Sequence, residues 1–88
     1  MDDHLSTEQL GWVIGRSAGT VRERIADGEI EATRIVDGYR IAKTEVLRLA
    51  RERIEAETGQ TLSDRELEGL IDEVIETNEA ANGRESAS

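Results

Sequence analysis

The stretch Ser17 to Arg24, SAGTVRER, places groups that can hydrogen-bond or carry charge at helical spacing. Val21 and Ile25 lie four apart and share one face. Gly19, Thr20 and Glu23 fall roughly opposite them, with Arg22 and Arg24 on the flanks. Small polar residues between guanidinium groups suit a helix that enters a DNA major groove by its first turns, where side chains reach base edges. Any short amphipathic helix of a small α protein carries the same pattern. Ser17 is a fitting N-cap, because its hydroxyl can accept from an unpaired N–H of the first turn. Asp27-Gly28 ends the helix, with Gly28 suited to a left-handed position. Arg34, Arg40 and Lys43 follow downstream.

Other chemistry is poorly provided for. The chain has no Cys and a single His, His4, which is expected to be a solvated terminal side chain. No nucleophile–base set can be built, the glycines sit at turns and caps, and no spacing matches a calcium loop. The expectation is a protein that is not an enzyme and has no catalytic residue, cofactor or metal.

Eighty-eight residues make one domain with room for an added helix, and only a modest core. The net charge of −9 opposes phosphate contact, but it is unevenly spread. Residues 1–50 hold nine acids and seven bases; residues 51–88 hold eleven acids and four bases. A basic surface would need local segregation of the five arginines and five acids between Arg16 and Arg40. The lack of thiols points to a reducing compartment. No apolar run approaches the roughly 20 residues of a membrane span, and the acidic start is unlike a signal peptide. A cytoplasmic protein without membrane contact is expected.

The elements that must hold these residues are marked by their caps. Ser6 and Gln9 fit a capping box, Leu5 and Leu10 a hydrophobic staple, and Leu10, Val13 and Ile14 an inward stripe that ends at Gly15. Trp12 lies off that stripe and is expected to cover the edge of the core. Asp37-Gly38 reads as a two-residue hairpin turn of type I′ between strands that carry Arg34 and Arg40. The faces of that hairpin are ambiguous, since Ile35, Val36 and Ile41 do not share a side. A third helix runs from Thr44 to about Glu57, with Val46, Leu47, Ala50 and Ile54 inward. Ser63, Glu66, Leu62 and Leu67 then repeat the box and staple, opening a fourth helix from Asp64 to about Asn78. From Glu79 onward, small polar residues read as a disordered tail, and Met1 to His4 as a frayed start.

This order of elements resembles the excisionase and MerR-type DNA-binding domains of bacteria and their phages. The likeness is carried by LSTEQLGWVIGRSAGTVRERIADGEIEATRIVDGYRIAKTEV, about half the chain. The resemblance implies a mainly α fold with a small β-hairpin wing, a winged helix-turn-helix over 1–57. Residues 58–78 would add an amphipathic helix, and 79–88 the tail. It also implies sequence-specific duplex binding, with the second helix in the major groove and the wing on the backbone or minor groove. By position, the contacts would come from Ser17, Gly19, Thr20, Arg22, Arg34 and Arg40, and Glu23 and Lys43 are further candidates. Two residues depart from the pattern. Ala18 stands where the family often has a basic residue, and Glu23 where a basic or neutral one is commoner. A carboxylate there is repelled by phosphate but can accept from a cytosine amino group. The role implied is a directionality factor of a phage or mobile element, or a small transcription regulator. The small subunits of phage packaging terminases resemble the module too.

A rival reading is a protein-interaction module on the same scaffold, with the acidic fourth helix binding a basic partner. The stripe of Leu67, Leu70, Ile71, Val74 and Ile75 has two fitting partners: its own domain, or the same helix of a second chain in a homodimer. The short link from Thr58 to Thr61 favours fold-back.

Overall fold

In a computed structural model, residues 3–87 are described, with side chains for 3–81. The elements run β1 (His4–Leu5), α1 (Thr7–Ile14), α2 (Ala18–Ala26), β2 (Thr33–Ile35), β3 (Gly38–Ala42), α3 (Lys43–Thr58) and α4 (Asp64–Ala87). The protein is mostly helical, with one small antiparallel sheet in the order β1-β3-β2.

Local chemistry sets most boundaries. Ser6 Oγ accepts from Gln9 N–H at 3.1 Å while Gln9 Oε1 accepts from Ser6 N–H at 3.0 Å, closing the box that starts α1. Gly15 ends α1 in the left-handed region, φ 71°. Ser17 caps α2 by accepting from Thr20 N–H at 3.1 Å. Gly28, at φ 82°, turns the chain away after it. Ser63 and Glu66 repeat the reciprocal cap at α4. α3 has no side-chain cap, and its first N–H, Lys43, donates to the Asp3 carbonyl at 2.8 Å.

Eleven buried apolar residues form the core: Leu5, Leu10, Val13, Val21, Ile30, Ile41, Val46, Leu47, Ala50, Leu67 and Ile71. They come from β1, all four helices, β3 and the link before β2, so no element buries its apolar side alone. Trp12 is half-buried and is not one of the side chains packed against this core. α4 packs against both α1 and α3, which seals Leu67 and Ile71 and half-buries Val74 and Ile75. This is the fold-back arrangement.

Three expectations need correction. His4 does not fray: with Leu5 it pairs with Ala42 and Ile41 as an edge strand that drops Leu5 into the core. Met1 and Asp2 lie outside the described residues. The hairpin turn centres on Val36-Asp37, because Ile35 pairs with Gly38. Neither central residue has a positive φ, so the turn is not type I′. Asp37 keeps the negative φ that a side chain prefers, and Gly38 alone takes a positive value, 143°. Finally, α4 continues beyond Glu79 to Ala87. No proline interrupts the chain there, and Ala80-Ala81 are the strongest helix formers available. Ser88 lies outside the described residues.

Among the described residues, no helix is long and apolar enough to cross a membrane.

Candidate nucleic-acid interface

The turn between α1 and α2 is built by close approach. A Cβ on Gly11 would sit 2.5 Å from the Arg16 carbonyl oxygen, and Arg16 N–H donates to the Gly11 carbonyl at 2.9 Å. Only a residue without a side chain lets the two helices meet this tightly. Arg53 of α3 clamps the same turn. Its Nη1 donates to the Val13 carbonyl at 2.6 Å, and its guanidinium lies against Gly15.

On α2, Val21 is fully buried and Ile25 half-buried, so the opposite side is outward. Ser17 Oγ and Thr20 Oγ1 are hydrogen-bonded to each other at 3.1 Å, with Gly19 beside them. Arg22 and Glu23 are exposed. These five candidates form one contiguous surface at the start of α2.

The hairpin divides its two arginines. Arg40 pairs with Thr33, and Arg34 with Tyr39. Strand alternation then puts Arg34 and Tyr39 on the face that carries buried Ile41, and Arg40 on the other with Thr33 and Ile35. All three residues of β2 are exposed, so the hairpin projects beyond the core with Val36 bare at its tip. This resolves the ambiguity in the sequence: Ile41 anchors the hairpin, while Ile35 and Val36 do not. α2 packs on α1, and β3 on α1 and α3, so α1 and the core join the two arginine-bearing elements.

The pairing of cations differs between elements. Every cation of α3 has an internal acid. Arg48 pairs with Glu45 and Glu52, Arg51 with Asp64, Arg53 with Glu57, and Lys43 with Glu68 of α4. Among the described residues, Arg16, Arg22, Arg24, Arg34 and Arg40 form no ion pair, and neither does Glu23. Lys43 thus stands apart from the other sequence candidates. Its hydrogen bond to Glu68 makes the ammonium give up its proton less readily than an ordinary lysine.

Behind the hairpin sits one buried carboxylate. Glu45 accepts two bonds from Arg48 at 2.7 Å and one from Glu31 N–H at 2.8 Å, which ties the approach to β2 onto α3. The Arg48 bonds hold its carboxyl below the usual range, and the Glu31 N–H adds to this against the opposing effect of burial.

Arg16 and Arg24 were not among the sequence candidates. Arg16 occupies the turn, and both line an open groove of about 400 Å³ against α3 together with Ile14 and Leu49. Their only signal was charge within the stretch that carries the resemblance. Arg53 and Glu45 gave less, since they reach backbone groups 40 and 14 residues away.

No family model, curated protein or solved structure matches the chain.

Proposed function

We propose that the chain binds duplex DNA as a winged helix-turn-helix of the excisionase and MerR type. α2 would lie in the major groove and the β2–β3 hairpin against the backbone or minor groove. The role that follows is a directionality factor of a mobile element or a small transcription regulator. The observation that carries this reading is the set of unpaired arginines on the α1–α2 turn, α2 and the hairpin, beside an α3 whose cations are all neutralised. Guanidinium groups free of internal acids are available to phosphates and guanine edges. The acidity that opposes binding is concentrated on α4, which bears eight acids and two arginines.

A salt-dependent gel shift on duplex DNA flanking the gene tests the reading. Affinity is expected to fall linearly with the logarithm of salt concentration. Arg22→Ala is expected to cost about 1–3 kcal/mol of binding with the fold intact. Arg34→Ala and Arg40→Ala should each lower the salt slope by about one unit, on every sequence alike. Unchanged affinity in all three variants would overturn the proposal. Binding-site selection with Glu23→Ala separates two roles for that carboxylate. Loss of a reader relaxes one cytosine position, whereas loss of a repelling charge tightens binding to any duplex.

A further inference from the structure

We propose that the groove between α3 and α4 docks a basic amphipathic helix of a protein partner. Its lining shares Val13 and Arg53 with the clamp on the α1–α2 turn but includes none of the candidate DNA contacts, so it stands independently of that reading. The groove is open, about 190 Å³, and lined mainly by apolar side chains, including Val13, Ile54, Leu70 and Val74. Leu70 is the key residue. Leu67, Ile71 and Val74, spaced as i, i+4 and i+7, turn toward the core, whereas Leu70 is rotated to the open edge and stays 43% exposed. The other large exposed apolar side chains, Ile35 and Val36, sit together on the hairpin. Leu70 is therefore the one large apolar side chain that the four-helix body leaves in water among the described residues.

Charge selects the occupant. Glu66 and Glu73, both exposed, flank Leu70 on the same helix edge by their i−4 and i+3 spacing, whereas Glu57 on the lining is paired with Arg53. The one cation on the lining, Arg53, already serves Glu57 and the Val13 carbonyl. A second copy of the chain would bring the same carboxylates against these and be repelled. A helix with leucine-type anchors on one face and Lys or Arg beside them satisfies both the apolar groove and its acidic rim.

The test titrates the full chain calorimetrically with a synthetic helical peptide of Leu and Lys, with Leu at i, i+4 and i+7. Control peptides carry Glu for Lys, or Ser for Leu. Leu70→Ser removes the exposed anchor, and a Glu66→Gln/Glu73→Gln pair removes rim charge; circular dichroism verifies each fold. The Leu/Lys peptide is expected to bind one-to-one and the two controls not to bind. Leu70→Ser should weaken it about tenfold, the share of one half-buried leucine. The Gln pair should weaken it several-fold and flatten its salt dependence. Absence of binding, equal binding by Leu70→Ser, or equal binding of the Glu peptide would each overturn the proposal. So would self-association of the unmodified chain that Leu70→Ser abolishes, since the groove would then belong to a second copy.

Discussion

Gly11 and Gly69 show how one residue type takes opposite meanings within helices. At Gly11 an added methyl meets the Arg16 carbonyl oxygen at 2.5 Å, whereas at Gly69 it meets nothing within 4 Å. Gly11→Ala is expected to destabilise the fold by about 1–3 kcal/mol through overpacking. Gly69→Ala should stabilise it by about 0.5–1 kcal/mol by restricting the unfolded chain. Thermal melts of the two variants check both signs. Glu45 provides a second residue-scale outcome. Its folded carboxyl lies below the ordinary value of 4.5, so its stabilisation is fully present above that pH and fades as pH falls through the folded value. Glu45→Gln should therefore lose about 1–2 kcal/mol at neutral pH. Urea titrations across the acid range should show the gap to the parent chain closing below pH 4.5.

The hairpin is the element whose chemistry depends most on orientation. Its arginines lie on opposite faces, and β2 is exposed throughout, so a duplex can reach both only if the hairpin approaches by its tip or edge. Arg34→Ala and Arg40→Ala are then expected to reduce the salt slope equally, whereas an approach by one face would spare one of them. Measuring both slopes at several salt concentrations decides the matter. The same hairpin marks the boundary of what the sequence could disclose. Signals spanning a few residues were legible: the caps at Ser6, Ser17 and Ser63, the stops at Gly15 and Gly28, and the short link that returns α4. β1 was not, because two residues carry no periodicity and their partners Ile41 and Ala42 lie far along the chain. The turn register also slipped by a residue, since Asp37-Gly38 and Val36-Asp37 satisfy the same alternation. Of the candidate site, the outward surface of α2 was readable from spacing. The pairing of Lys43 with Glu68 was not, because it joins helices whose relative placement only packing determines.

At the scale of the whole molecule, α4 is a structural member of the domain. Leu67 and Ile71 are 0% and 2% exposed, and burial of each is worth about 1.5–3 kcal/mol as an upper estimate. A chain ending at Thr61 would uncover the facing side of Leu10, Val13 and Ala50. It is expected to melt well below the parent or to aggregate, as differential scanning calorimetry and light scattering would show. A stable, soluble 1–61 fragment would contradict this. The way α4 is held has a further consequence in time. Gln9 Nε2 donates to Glu79 Oε1 at 3.0 Å, joining residues 70 apart, and α4 packs against the first helix of the chain as well as α3. Among the described residues such contacts close a very long loop, so their entropic cost comes before any reward. α4 should dock after the folding barrier. In stopped-flow experiments Leu67→Ala is then expected to hasten unfolding while leaving the refolding rate nearly unchanged. On that order of events the lifetime of the folded state would depend on α4, far along the chain from the exposed arginines of α2 and the hairpin.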